Sequence, residues 1–205
     1  MDVRQLDPLQ LDALREIANI GAGHAATALS ELTARRIMVD VPEVRVIRLE
    51  AVGELVGDPG QVVSAVIVKL EGDVTGRTLQ IFPARTASLL ASMLLRGRER
   101  RFPQDFGLLE RSALKEIGNI IVGAYLNALE HFVNLPLRMS IPALAIDMAA
   151  AVMTTSYLNF GSVDDHVFCV NTRLAVDSGG DLPAYFLLIP DGESLVAILR
   201  ALRVA

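Results

Sequence analysis

The sequence has no tryptophan and few aromatic residues of any kind, which make up 5% of its 205 residues. A surface that binds nucleic acid by stacking needs aromatic side chains interleaved with a basic stripe, and the sequence has no such segment. The net charge of −5 also disfavours a general nucleic-acid binder. We therefore expect no nucleic acid among the partners of this protein.

The sequence has a single cysteine, and it has neither a recognisable targeting segment nor a long apolar run. The single cysteine, Cys169, cannot form an internal disulfide and lies in an apolar run, so we interpret it as the buried thiol of a strand. No basic segment followed by an apolar one marks a secretory signal. The longest apolar stretch, residues 143–158, contains Asp147 and is too short and polar to span a membrane. We expect a cytoplasmic chain without membrane insertion.

The most informative feature of the sequence is a repeat, because residues 11–42 align without a gap with residues 111–142. A core requires only that apolar residues recur, yet polar residues recur here as well. Ten residues are identical at positions 100 apart, and in the first copy they are Ala13, Leu14, Glu16, Ile17, Asn19, Ile20, Gly23, Ala28, Leu29 and Pro42.

The first half predicts a helix, strands, a hairpin and a second helix. Asp7 is the expected N-cap, Pro8 the first helical residue and Gln10 the partner in a capping box. This helix runs to about Thr33, and the glycines within it either break it or permit close packing. Strands flank Pro42, which marks a strand end or a kink. A hairpin over residues 62–82 and a helix over 84–95 follow.

The second half repeats this plan, with a helix over about residues 107–133. Strands are expected near residues 137–140, 143–149 and 151–158, then a hairpin of 167–176 and 184–189, and a last helix to Leu202. Pro83 and Pro190 precede the matched final helices and are 107 residues apart. We therefore expect about seven extra residues between the Pro142 strand and the last hairpin.

The expected fold class is α+β, with mixed α/β character. An internally duplicated helix–strands–hairpin–helix unit would form one pseudo-twofold sheet with the helices packed on it. Each half has strands too apolar to be stable alone, so we expect a single domain over residues 1–205. Its repeats span about residues 7–97 and 104–203, and the charged segment 96–103 is the linker.

The recurring polar pair is Glu-x-x-Asn, formed by Glu16 and Asn19. Residues three apart on a helix are neighbours, with Cβ atoms about 5–6 Å apart. Asp12 and Gly23 extend the pair into a stripe that lies opposite the apolar positions and should face solvent. The equivalent stripe of the second copy contains Ser112, Glu116, Asn119 and Gly123.

Two simpler explanations of the pair are a helix C-cap and a metal site. An interior Asn costs about 0.6 kcal/mol relative to Ala, and a C-cap role does not suit Asn119, which no glycine follows within three residues. Asp12 and Glu16 could bind a divalent ion, but Ser112 replaces Asp12 in the second copy. His24, His131 and His166 share no repeat positions. We expect no metal-binding and no cofactor-binding residues.

The chemistry that suits an exposed carboxylate–carboxamide pair is the positioning of water. The pair contains no nucleophile, and its exposure disfavours general-base catalysis. A carboxamide can accept a hydrogen bond from a water and donate one to it, which orients the water for in-line attack. Phosphoryl transfer depends mostly on such positioning and on charge stabilisation.

The doubled spacing Asp/Ser-x3-Glu-x2-Asn-x22-Pro resembles the signature of the CheC/CheX/FliY family of chemotaxis phosphatases. Asp12, Glu16, Asn19 and Pro42 match it once, and the same holds for Ser112, Glu116, Asn119 and Pro142. Two copies in a chain near 200 residues are typical of the CheC-type members.

The resemblance implies dephosphorylation of the phosphorylated response regulator CheY. It implies that Asn19 and Asn119 orient the attacking water and that Glu16 and Glu116 pair with the regulator's active-site lysine. The Mg²⁺ would belong to the regulator, and the deamidase CheD is a further implied partner. We assign Asp12, Ser112, Pro42 and Pro142 to structure.

A binding module is the alternative. The family includes flagellar-switch components without phosphatase action, and a chain that only regulates CheD would need the duplicated sheet but not the Glu/Asn pairs. Intact pairs in both halves favour the enzyme.

Overall fold

The computed structural model describes residues 8–48, 51–52, 56–97, 103–160, 166–176 and 180–202. These ranges contain five α-helices and seven strands. The helices are α1 (Pro8–Thr33), α2 (Ala84–Leu95), α3 (Leu108–Val133), α4 (Ala149–Phe160) and α5 (Gly192–Ala201). The strands are β1 (Ile37–Arg48), β2 (Val62–Gly72), β3 (Gly76–Pro83), β4 (Leu137–Met139), β5 (Ala143–Met148), β6 (His166–Val176) and β7 (Gly180–Pro190). None of the helices in the described ranges is long and apolar enough to cross a membrane.

The seven strands form one antiparallel sheet to which both repeats contribute. Its order is β1-β6-β7-β3-β2, with β4 and β5 both pairing with β2 at the far edge. Strand β1 of the first repeat therefore pairs with β6 of the second, and β5 of the second pairs with β2 of the first. The two hairpins meet at the centre through β3 and β7. The predicted fold class, a duplicated unit forming one pseudo-twofold sheet, is confirmed.

Helices pack on both faces of the sheet. One face carries the larger core, to which α1, α2, α3 and α5 contribute buried side chains. The other face is covered by α4 together with Val52 and Val56, and buried Cys169 lies among these residues. The helices that carry the Glu/Asn pairs thus lie in the same layer.

The register at the sheet centre corrects the predicted spacing of the repeats. Gln80 of β3 pairs with Phe186 of β7. Thr78 precedes Gln80 by two residues and Ala184 precedes Phe186 by two, and because the strands are antiparallel these residues lie on opposite sides of the pair. Phe186 and Ala184 belong to the core under α1 and α3, whereas Leu79 belongs to the opposite face. A spacing of 107 would match Leu79 with Phe186 and place equivalent residues on opposite faces. A spacing that preserves the face must be even, as is the 106 that separates the paired residues Gln80 and Phe186.

Most predicted elements occur where the sequence placed them. The two strands expected beside Pro42, however, form the single strand β1, and the strand expected at residues 184–189 spans Gly180–Pro190. The structure has α1 end at Thr33, α2 span Ala84–Leu95 and the first hairpin turn at Gly72 and Asp73. Residues 151–158, predicted as a strand, belong to α4 instead. Ala149 and Val152 are buried at helical spacing while Thr154 and Thr155 are exposed, so burial of one helical face outweighs the modest strand preference of Val and Thr. The predicted N-cap Asp7 lies outside the described residues, as do residues 177–179 between β6 and β7.

Two glycines let the helices approach their neighbours closely. A Cβ atom added to Gly21 of α1 would lie 2.6 Å from Tyr125 Cδ1 and 2.9 Å from Tyr125 Cα of α3. A Cβ atom added to Gly118 of α3 would lie 2.5 Å from Cγ2 of Val66 in β2. Helix α1 runs through Gly21 and Gly23 without a break. Close packing is therefore the reason for Gly21, whereas Gly23 has open space around it.

We expect Gly21→Ala and Gly23→Ala to change stability in opposite directions. Gly21→Ala forces α1 away from the backbone of Tyr125 and should lower the free energy of unfolding by about 1–3 kcal/mol. Gly23→Ala meets no atom and should raise it by roughly 0.5–1 kcal/mol, because Ala is the better helix former. Urea unfolding followed by circular dichroism measures both. Equal effects of the two variants would contradict the packing argument.

Burial raises the pKa of Cys169 to about 12, and Glu43 adds to the shift while Arg45 opposes it. The folded state therefore holds the thiol proton more tightly than the unfolded chain. Its contribution to stability is complete below the ordinary pKa of 9.0 and is lost as the pH rises towards 12. At pH 8 we expect native protein to react with a disulfide reagent far more slowly than protein in guanidinium chloride. Rapid labelling of the native protein would show that the thiol is accessible.

Candidate functional site

The first candidate site is the solvent face of α1. Leu14, Ile17 and Ala18 are buried against the sheet, so the residues between them turn outward. Asp12, Glu16, Asn19 and Gly23 are all exposed. We call these four residues the first stripe. A carboxylate and a carboxamide therefore stand side by side in solvent, one helical turn apart.

The second candidate site is the same face of α3. Ser112 and Glu116 are exposed, whereas Asn119 and Gly123 are half-buried. These four residues form the second stripe. The helix begins after Gly107, whose backbone N–H donates to Glu110 Oε2 at 3.0 Å. Buried Leu114 and Ile117 orient it as Leu14 and Ile17 orient α1.

The two helices run antiparallel, so the stripes are separate. Gly21 contacts Tyr125, while Leu14 and Ile17 share an apolar cavity of about 30 Å³ with Leu126 and Leu129 further along α3. Residues nearer the start of α1 thus face residues nearer the end of α3. From the Gly21–Tyr125 contact, Asn19 and Asn119 are offset by about 12 Å along the axes, on helices whose axes are about 8–10 Å apart. They form two sites and not one four-residue centre.

The surroundings of the stripes differ in charge. Arg15 Nη1 donates to Asp12 Oδ1 at 3.2 Å in the first stripe, and both side chains are more than half exposed. Ser112 stands in place of Asp12 in the second stripe, beside Lys115. Exposed ion pairs contribute little to stability, so this difference concerns the charge that a partner meets.

The stripes also differ at their glycine ends. A Cβ atom on Gly23 would meet nothing within 4 Å, whereas one on Gly123 would lie 3.5 Å from Met139 Cε. Met139 comes from β4 and keeps 40% of its surface exposed. Sequence reasoning missed Met139, because Val39 occupies the matched position of the first copy and no helical periodicity connects a strand residue to the stripe.

The two motif prolines lie where the strands after α1 and α3 lose their regular pairing. Pro42 is exposed within β1, where the register with β6 shifts between Asp40 and Glu43. Pro142 separates β4 from β5, which pair with different parts of β2. Pro42, which is expected to mark a strand end or a kink, lies inside β1 at this register shift.

Histidines and acidic residues do not gather beside the stripes. His24 and His131 are exposed on their helices, and the side chain of His166 lies outside the described residues. Among the described residues, no group of three or more His, Cys, Asp or Glu side chains is placed to hold a metal ion.

A carboxamide and a carboxylate on an exposed helix face can act only on a molecule that binds to that face. Asp12, Glu16 and Asn19 of the first stripe and Ser112 and Glu116 of the second stand exposed on the outer face of the helix layer. Each side chain can reach into a partner's cleft. The geometry suits a group donated to another protein's active site.

Comparisons of the sequence identify related proteins. Residues 9–45 match the CheC-like family, and residues 64–164 match the family described as chemotaxis phosphatase CheX. The CheY-P phosphatase CheC of Bacillus subtilis is 33% identical over 196 residues, which cover 94% of this chain and 93% of that protein. The flagellar motor switch phosphatase FliY of the same organism is 27% identical over 123 residues, 60% of this chain and 32% of that protein.

Comparisons of the structure agree on the fold. Thermotoga maritima FliY superposes with a TM-score of 0.80 at 20% identity, over 97% of this chain and 98% of that one. The middle domain of FliM from H. pylori superposes with a TM-score of 0.72 at 12% identity, over 96% and 99% of the two chains. At these identities the likeness concerns the arrangement of helices and sheet alone.

We expect the Asn19→Ala/Asn119→Ala double variant to fold normally. Neither carboxamide has a hydrogen bond to a side chain or backbone group within the described part of the chain, and Ala is the better helix former by about 0.6 kcal/mol per position. The free energy of unfolding in urea should stay the same or rise. A loss above about 1 kcal/mol would indicate that the amides support the fold.

Proposed function

Since this chain belongs to the CheC-like family, we propose that it accelerates hydrolysis of the aspartyl phosphate on the chemotaxis response regulator CheY. One observation carries the proposal: a Glu/Asn pair occurs twice at the same position of two equivalent helices, fully exposed in α1 and with an exposed Glu and a half-buried Asn in α3. Each pair faces a partner and not the core. The relative named CheY-P phosphatase CheC supports the choice of substrate.

Asn19 and Asn119 each supply the group that acts on water. When the helix face docks on the regulator, the carboxamide reaches the acyl phosphate. Its oxygen accepts a hydrogen bond from the water and its NH₂ group donates one, which places the water oxygen in line with the phosphorus–oxygen bond to be broken. No covalent intermediate on this chain is involved.

Glu16 and Glu116 supply the ionic contact that holds the regulator in place. Each carboxylate stands one helical turn before its Asn, so it meets the regulator on the same approach. It pairs with the regulator's active-site lysine and thereby fixes the depth and direction of the amide. Docking desolvates this ion pair, which makes it stronger than the same pair in free solvent.

The rate gain required is modest, because an acyl phosphate hydrolyses by itself. A hundredfold acceleration corresponds to about 2.7 kcal/mol of barrier reduction. Positioning one water with one oriented amide is an effect of that order. The chain therefore has no need of a cofactor of its own, and the Mg²⁺ that neutralises the phosphoryl group belongs to the regulator. CheD remains a proposed second partner, and we assign it no surface.

The experiment that tests the proposal is the decay of phosphorylated CheY with catalytic amounts of this protein. Wild type should accelerate the decay at least tenfold, and Asn19→Ala/Asn119→Ala should abolish the acceleration while it still binds the regulator. The single variants should each retain the activity of one site. Glu16→Ala/Glu116→Ala should lower the activity and also weaken binding of the regulator, because it removes the carboxylates that pair with the regulator's lysine.

Gln104→Ala is the matched control, because it removes an exposed carboxamide from a segment outside α1 and α3. It should leave the decay rate unchanged. Full activity of the double Asn variant would disprove water positioning. Wild type that binds CheY without accelerating decay would instead favour the non-catalytic adaptor of the chemotaxis or flagellar-switch apparatus.

A further inference from the structure

Two exposed leucines extend the stripes beyond the Glu/Asn motif. Leu9 keeps 79% of its surface exposed and Leu109 keeps 70%. They occupy matched positions, the second residue of α1 and of α3. Single exposed leucines are common on protein surfaces. The same exposed leucine at the same place in both repeats is a regularity that the core does not explain, since neither side chain belongs to an apolar cluster of the described residues.

Helix geometry places each leucine on its stripe. Leu9 precedes Glu16 by seven residues, and seven residues at 100° each bring the chain back to within about 20° of the same direction. Leu109 stands in the same relation to Glu116. Along the axis the leucine lies about 10 Å from the Glu and about 15 Å from the Asn. Leucine and carboxylate therefore point nearly the same way, and the carboxamide is turned by about 60° from the carboxylate on the same face of the helix.

Helix initiation does not account for these leucines. In a hydrophobic staple the apolar residues are the one before the N-cap and the fourth of the helix. In α3 those positions are Phe106, which is buried, and Arg111. Leu109 takes neither position, and it projects into solvent.

The proposed reaction leaves a binding problem that these leucines solve. An ion pair and an amide on an open helix face contribute little affinity until solvent is excluded from them. Interfaces take most of their binding energy from a few large side chains buried on docking, which also exclude water from neighbouring polar contacts. A leucine two helical turns from the Glu is placed to do both.

We infer that Leu9 and Leu109 are positioning residues that bury against an apolar patch of the phosphorylated regulator, about 10–15 Å from its aspartyl phosphate. This inference rests on the proposed function and adds the contact that holds the partner in register. The leucine touches neither the water nor the phosphoryl group. It binds ground state and transition state equally, so its loss should raise KM and leave kcat unchanged.

The test compares three double variants at both sites, because one intact site would mask the loss of the other. Leu9→Ala/Leu109→Ala should raise KM for phosphorylated CheY about tenfold, as expected for the loss of a buried leucine. Leu9→Gln/Leu109→Gln should raise it similarly. Leu9→Met/Leu109→Met retains the apolar surface and should stay within about twofold of wild type.

Met148→Ala serves as the remote control, because Met148 is 50% exposed on β5 and not on a stripe-bearing helix. It should leave KM unchanged. An equal rise of KM in this control, or an unchanged KM in the double Ala variant, would overturn the inference. So would a fall in kcat at constant KM, which would place the leucines in the chemical step.

Binding separates this inference from the proposed function. The dissociation constant of CheY loaded with beryllofluoride, measured by calorimetry, should rise with the same pattern, and it needs no turnover. If wild type does not accelerate decay but binds CheY through the leucines, the proposed function fails and the docking contact stands. If decay is accelerated and the leucine variants bind normally, only the docking contact fails. Analytical sedimentation provides a further test. If wild type forms dimers and the double Ala variant does not, a second copy of the chain covers the leucines, and the inference is overturned.

Discussion

The exchange of strands between the repeats is the constraint on which the rest of the structure depends. Each repeat supplies one strand to the hairpin of the other, β1 to β6 and β5 to β2. Other contacts cross between the halves as well. The Gln10 amide at the start of α1 donates to the Leu199 carbonyl at the end of α5 at 3.1 Å, and the Thr75 N–H donates to Ser194 Oγ at 2.8 Å. Because β1 follows α1 directly and β5 follows α3 after the short strand β4, the exchange also draws both helices onto one face.

Close packing at that face leaves little freedom for the two helices. Tyr125 packs against Gly21 and Val66 packs against Gly118, at positions where any side chain in place of glycine would collide with them. Tyr125 stacks on Phe186 with ring centroids 4.7 Å apart, and burial raises its pKa. Its hydroxyl has no hydrogen-bond partner among the described residues, so this contact between the helices and the sheet is apolar. Closely packed helices give each Glu/Asn pair a fixed direction, which the proposed positioning of a water requires.

The sequence predicted α1, α2, α3 and α5, the first hairpin and the exposure of the first stripe because their signals are local or repeated. Periodic apolar residues, helix-starting prolines and a Gly-Asp turn each act within a few residues. Helix α4 escaped prediction because its Val and Thr residues resemble a strand until the sheet face that they cover is known. The predicted repeat spacing of 107 was wrong for the central strands because matching Pro83 with Pro190 ignores which face of the sheet a residue occupies. Leu9 and Leu109 are identical in the sequence, but they precede the aligned repeats 11–42 and 111–142, and only their exposure in the structure distinguishes them from core residues.

The motif prolines have a consequence for how this protein meets other copies of itself. Among the described strands, β1 forms one border of the sheet and β4 with β5 the other, and a bare border offers unpaired N–H and C=O groups to any passing strand. Pro42 removes a donor and shifts the register on one border, while Pro142 divides the other into two short pieces. The sheet is therefore discouraged from growing sideways into a fibre at both ends, and by the same residue of each repeat.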